Sequence, residues 1–119
     1  MISWFEIPVN DMARAKSFYE TVFDIEIKEM EFGVVKMGWL PFNEGDGVAG
    51  TLIQQESYIP SQEGTLVYFK SEDITTELNR VEDAGGKIYL GKTKISEEHG
   101  SMGVFIDSEG NRIALHSNK

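Results

Sequence analysis

Three side chains in this sequence can do more than pack: the carboxylate of Glu6 and the imidazoles of His99 and His116. Glu6 follows Trp4 by two residues in the opening run WFEIP, so an extended backbone puts both on one face. A carboxylate set beside aromatic rings, Trp4 and Tyr68, is a candidate general base, and solvation or pairing with Arg112 is the simpler role. His116 closes the last apolar run, RIALH, and His99 stands beside Gly100, where the missing side chain lets a loop approach a ligand closely. A catalytic divalent metal needs about three protein ligands and an open position. Glu6 and His116, with His99 in a loop, do not compose such a set, and no metal site is read from them. The chain contains no cysteine, which excludes disulfides, thiolate catalysis and cysteine-held zinc or iron-sulfur centres. It also lacks a G-x-S-x-G elbow, a P-loop and a dinucleotide fingerprint.

These residues have to be positioned by the surrounding elements. Residues 2–7 alternate as a strand and stop at Pro8, which cannot donate to a ladder. Asn10 or Asp11 can then cap a helix, along which Met12, Ala15, Phe18, Tyr19, Val22 and Phe23 form an apolar stripe. Strands are predicted over 25–30, 34–39 and 48–54, with a turn at 41–47. A linker over about 57–63 follows. Residues 65–70, TLVYFK, are strand formers, and Asp73 precedes a helix with Ile74, Leu78 and Val81 on one side. Gly85-Gly86 ends that helix. Strands are predicted over 87–95, 102–107 and 112–116, with a loop at 96–101 and a turn at 107–111.

The two halves repeat at a fixed offset. Moving 62 positions along from Trp4, Asp11 and Asp24 reaches Leu66, Asp73 and Gly86, so strand, capping acid and helix end recur. Module 1 covers about 1–56 and module 2 about 64–119. Phe5 and Ile7, with Val67 and Phe69 as counterparts, form the face expected under the helices. Trp4, Glu6, Leu66 and Tyr68 form the other face, joined by Arg112, Ala114 and His116 from the last strand. This mixed face is the expected ligand-binding surface.

At 119 residues, 40% apolar and 26% charged, the chain is one domain's worth of ordinary globular protein. A net charge of −9 argues against nucleic acid, whose phosphates require clustered Lys and Arg. No apolar run approaches the roughly 18–20 residues that span a bilayer. The N-terminus has no signal-peptide pattern, so a cytoplasmic location is expected.

The stretches FEIPVNDMARAKSFYETVF, SEDITTELNRVEDAGGKI and DSEGNRIALHS resemble the vicinal oxygen chelate superfamily, which includes glyoxalase I, bleomycin-resistance proteins and extradiol dioxygenases. The resemblance implies an α+β fold of two paired βαβββ modules, curved sheets around a partly open cavity, helices outside, and a homodimer. It also implies four inward ligands in metal-using members, which fall here on Trp4, approximately Gly50 (with Ala49 and Thr51 beside it), Leu66 and Ala114. Indole only donates a hydrogen bond, and glycine and alkyl side chains offer a metal nothing. The expectation is therefore a small-molecule binding protein with no metal cofactor, using Trp4, Glu6, Leu66, Tyr68, Arg112, Ala114 and His116. The alternative is a metal-dependent lyase like glyoxalase I or a dioxygenase-like enzyme.

Overall fold

The computed structural model describes every residue except Glu44 and Asp46. The chain divides into two compact units, Met1–Pro60 and Ser61–Lys119. Each runs strand, helix, three strands.

In the first unit the elements are β1 (Trp4–Pro8), α1 (Met12–Phe23), β2 (Lys28–Phe32), β3 (Val35–Trp39) and β4 (Ala49–Gln54). The sheet order is β1-β4-β3-β2, with β1 parallel to β4 and the other pairs antiparallel. Asp11 caps α1 by accepting from the Arg14 amide at 3.1 Å, and the Gln54 side chain accepts from the Met12 amide at 2.7 Å. The helix start is thus tied both to its own cap and to the central strand. Its buried stripe is Met12, Ala15, Phe18, Tyr19 and Val22; Phe23 is only half-buried, its ring stacked on Tyr19. Burying each large apolar side chain of this kind contributes about 1.5–3 kcal/mol. The stripe packs on the sheet face that carries Ile7 and Leu52. Gly38 lies on that face too, where an added Cβ would come within 3.0 Å of Ile27 Cγ2 and 3.1 Å of Met12 Sδ.

The strand predicted over 25–30 begins later, at Lys28. The preceding residues close the helix end instead: the Ile25 amide donates to the Glu20 carbonyl, and the Ile27 amide to the Glu20 carboxylate at 2.8 Å. Ile27 is buried against the sheet, so pairing with β3 starts one residue beyond it. The turn expected over 41–47 includes Glu44 and Asp46, which lie outside the described residues.

The second unit contains β5 (Tyr68–Lys70), α2 (Ile74–Ala84), β6 (Lys87–Ser96), β7 (Gly100–Ile106) and β8 (Arg112–Ser117), in the sheet order β5-β8-β7-β6. Again the first strand is parallel to the last, Tyr68 opposite Ala114 and Lys70 opposite His116. The strand expected over 65–70 is shorter than predicted. The Gly64 carbonyl just before it is taken by the Arg112 guanidinium at 3.0 Å, not by a ladder amide. Asp73 caps α2 on the Thr75 amide, matching Asp11 at the predicted offset. The helix ends on Gly85 in the left-handed region (φ 108°), the first of the two glycines expected to stop it. Ile74, Leu78 and Val81 are buried, and Gly103 admits them: a Cβ there would lie 3.1 Å from Leu78 Cδ1.

The turn after β7 is built on Asp107. Its Oδ1 accepts from the amides of Glu109 and Asn111, both at 2.9 Å, and its Oδ2 accepts from the Asn111 side chain at 3.1 Å. Asn111 Oδ1 in turn accepts from the Ser61 amide at 3.0 Å, fastening the start of this unit to its last turn.

Candidate functional site

Each sheet has one face under a helix and one free of it, and the strand registers decide which residues lie where. In the first unit Phe5 stands opposite Gly50 and Ile7 opposite Leu52, all on the helix side. A Cβ on Gly50 would sit 2.1 Å from Phe5 Cζ, so the ring occupies the space above that glycine. Gly50 therefore faces away from the surface on which a ligand residue was expected. The residues on the helix-free side are Ala49 and Thr51, opposite Trp4 and Glu6 respectively. Thr51 is also opposite Trp39 across β3 and β4.

This register assembles one local arrangement. Trp4 and Trp39 meet edge to face with ring centroids 6.4 Å apart, and Trp4 remains 52% exposed. Glu6, half-buried, lies on the same face, and its carboxylate makes no hydrogen bond or ion pair among the described residues. Thr51 is fully buried, and among the described residues neither its hydroxyl nor the indole Nε1 of Trp39 has a hydrogen-bond partner. Leaving a buried polar group unpaired costs about 1–3 kcal/mol. The sequence offers Trp39, with Phe42, only as a residue to close the pocket or pack, and Thr51 only as a neighbour of the Gly50 place. Extending the β1 alternation across the neighbouring strands would have reached both.

In the second unit the helix-free face carries Tyr68 and Lys70 on β5 and Arg112, Ala114 and His116 on β8, as alternation predicts. Near the ends of these strands lies a cavity of about 460 Å³, lined by Tyr68, Lys70, Ile95, His99, His116 and Asn118, with Ser71 and Ser117 at its edge. This is within the usual range for small-molecule pockets. Of the residues expected from sequence, Tyr68 and His116 line it. Leu66, Arg112 and Ala114 do not. Leu66 precedes the ladder. Ala114 has no exposed surface, and Arg112 is turned to the Gly64 carbonyl.

The loop expected over 96–101 is a tight turn confined to Glu97, Glu98 and His99. Gly100 serves the fold and not a ligand: at φ 75°, a Cβ there would lie 2.0 Å from the Ser117 carbonyl oxygen. This close approach brings His99 over β8, where its carbonyl meets His116 Nε2 at 2.6 Å. A carbonyl can only accept, so Nε2 of His116 carries the proton. The His99 amide donates to Ser96 Oγ at 2.9 Å, and the same hydroxyl lies 3.1 Å from His99 Nδ1. Lys70, Ser71 and Asn118 were missed from sequence, although Lys70 follows from Tyr68 by strand alternation. Ile95 gave no such signal, because β6 changes register repeatedly along its pairing with β7.

The residues at the four places where metal-using relatives hold a cation do not fit one. Trp4, Leu66 and Ala114 have no metal-binding atom, and Ala49 or Thr51 supplies at most a neutral hydroxyl. No group of three or more His, Asp or Glu that could hold a metal occurs among the described residues.

With two mixed four-stranded sheets, each backed by one helix, the architecture is that of a known α+β class. Residues 1–115 match the model of the Glyoxalase/Bleomycin resistance protein/Dioxygenase superfamily, and the chain belongs to that superfamily. A search of the curated proteins found no match. Among solved structures, the chain is similar to a hypothetical protein from S. aureus (18% identity, TM-score 0.72, 98% of this chain and 96% of that one). It is also similar to the genomically encoded fosfomycin resistance protein of Listeria monocytogenes (16%, TM-score 0.70, 100% and 91%). A glyoxalase I variant from Zea mays superimposes with TM-score 0.75 at 17% identity, over 98% of this chain but 46% of that longer one. At these identities the likeness is one of fold. No helix among the described residues is long and apolar enough to cross a membrane.

Proposed function

We propose that this chain binds a small organic molecule on the helix-free sheet faces, without a metal cofactor. The carrying observation is the Trp4–Trp39 pair, a large aromatic surface left partly uncovered where relatives that use a metal place a ligand. Aromatic rings contribute broad contact area and stack on planar ligands. Glu6 on the same face supplies an orienting polar group there, and the second unit has a cavity of its own with Tyr68 and His116 in its lining. Such an arrangement suits sequestration of a compound, the role that bleomycin-resistance members of the superfamily suggest. The alternative, a metal-dependent lyase, draws on the glyoxalase I neighbour and is opposed by the donor set.

Thermal-shift screening of organic compounds against the native chain and Trp4→Ala tests the binding face. Compounds that raise the melting temperature of the native chain should lose most of that effect on the variant. Equal shifts on both would remove Trp4 from the site. Elemental analysis of protein purified without an affinity tag tests the metal. Stoichiometric nickel, zinc, iron or manganese would overturn the metal-free reading. The proposal also takes the chain as a homodimer in the cytoplasm, the dimer resting on its family resemblance. Exposed Met30, Phe32 and Val34 at the β2 edge give apolar surface for such an association, and sedimentation velocity reads the state. A monomer at all concentrations would dismiss it.

A further inference from the structure

The cavity of the second unit has a chemical character that the aromatic face of the first does not. From its lining groups we infer that it takes the anionic end of a small organic acid, a carboxylate attached to an apolar body. This deepens the proposed binding role by naming the charge of the ligand.

The first argument is charge. Asp and Glu make up 20 of the 119 residues, yet none of the described residues lining this cavity is acidic. Lys70 is there instead, and it makes no ion pair or hydrogen bond among the described residues. In a chain of net charge −9, Lys70 stands in this lining beside two histidines, with the Glu77 carboxylate behind Ser71 and not in the lining itself. An anion reaching it would be drawn by a charge-assisted hydrogen bond, about twice as strong as a neutral one.

The second argument is the arrangement of protons. Nε2 of His116 is committed as a donor to the His99 carbonyl at 2.6 Å, which fixes the ring in place. Ser96 Oγ accepts from the His99 amide at 2.9 Å and also lies 3.1 Å from His99 Nδ1, so this one hydroxyl holds both the backbone and the ring of His99. Its Nδ1 edge is thereby engaged, and the Nε2 edge of the His99 ring is left to meet a ligand. Ser71 is already spent, its hydroxyl donating to the Glu77 carboxylate at 2.5 Å, and the Ser117 hydroxyl donates to the Lys119 carbonyl at 3.1 Å. The groups left for a ligand are then the three protons of the Lys70 ammonium, the His99 ring, the Asn118 amide, the Tyr68 hydroxyl and Nδ1 of His116. Donors outnumber acceptors, which selects an acceptor-only group such as a carboxylate.

The third argument is the apolar wall. Tyr68 and Ile95 are 50% and 49% exposed. They offer an aromatic ring and an aliphatic side chain to the body of the acid, next to the cation that holds its head.

The chain's residue counts make the test direct. Both histidines lie at this cavity and both tryptophans on the first unit's face, so each site has its own spectroscopic reporter. The probes are 3-phenylpropionate and its neutral counterpart 3-phenylpropanol, read by the histidine Hε1 signals in proton NMR and by tryptophan fluorescence. The propionate should move both histidine signals saturably in the millimolar range or below, and the alcohol should not. Lys70→Met should weaken propionate binding about tenfold, the loss of one charge-assisted bond, and Lys70→Arg should largely restore it. Lys70 is exposed, so neither change threatens folding. Equal binding of acid and alcohol would overturn the inference while leaving small-molecule binding intact. Still histidine signals with both probes, or an unaltered affinity in Lys70→Met, would also overturn it. A tryptophan response alone would support the first unit's face and remove the acid from this cavity.

Discussion

Thr51→Val is the substitution on which the description of the first unit depends most directly. Thr51 lies at the centre of the helix-free face, opposite Glu6 on one side and Trp39 on the other, with no exposed surface. Its hydroxyl has no partner among the described residues. A buried hydroxyl without a hydrogen bond costs about 1–3 kcal/mol, and valine has nearly the same shape, the same β-branching and a good strand propensity. The variant should therefore be more stable, by about 1–2 kcal/mol. For a chain of this length that corresponds to a rise in melting temperature of about 4–8 °C. In urea the midpoint should move up by about 0.5–1 M with the slope unchanged, since the surface exposed on unfolding is the same. Thr51→Ser separates the two parts of the side chain: it keeps the hydroxyl and loses a buried methyl, so it should destabilise by about 1 kcal/mol. If Thr51→Val is instead destabilised by 1 kcal/mol or more (an order-of-magnitude threshold from the same range), the hydroxyl is hydrogen-bonded and the orphaned-donor description fails.

Two further substitutions probe the second unit. Asp107→Ala removes the acceptor of two amides and one side-chain amide in a buried turn, and hydrogen bonds to a charged group are worth about 1.5–3 kcal/mol each. A loss of roughly 3 kcal/mol or more is expected by urea denaturation, and a loss under about 1 kcal/mol would mean that backbone contacts alone hold the turn. Asp73 titrates below its ordinary carboxylate range, chiefly because its carboxylate accepts from the Thr75 amide, with help from Lys92. A depressed carboxylate adds stability that is full above the ordinary range and is lost as pH falls through the folded-state value. Asp73→Asn should accordingly flatten the acid limb of the stability–pH curve, leaving its shape near neutrality unchanged. An acid limb as steep as the native one would assign that sensitivity to other carboxylates.

Much of this organisation could be read along the chain because it is local. A capping acid before an apolar stripe specifies a helix through bonds within one turn, and Asp11 and Asp73 do so at the predicted offset. Alternation likewise separated Phe5 and Ile7 from Trp4 and Glu6, since a strand's two faces follow from its period alone. What failed were features set by partners distant in sequence. The start of β2 depends on where Ile27 packs, and the extent of β5 on its register against β8, far along the chain.

The candidate site divides along the same line. The sequence by itself determined that the places of the superfamily's metal ligands hold Trp4, Leu66 and Ala114, since side-chain chemistry needs no coordinates. Only the tertiary structure decided that Gly50 faces the helix under the Phe5 ring and that Thr51 stands between Glu6 and Trp39. It alone decided that Gly100 presses against the Ser117 backbone and so sets His99 against His116. The physical reason is register: pairing across a sheet is fixed by contacts between strands far apart in the chain, and a shift of one residue would exchange the faces of every side chain on the strand.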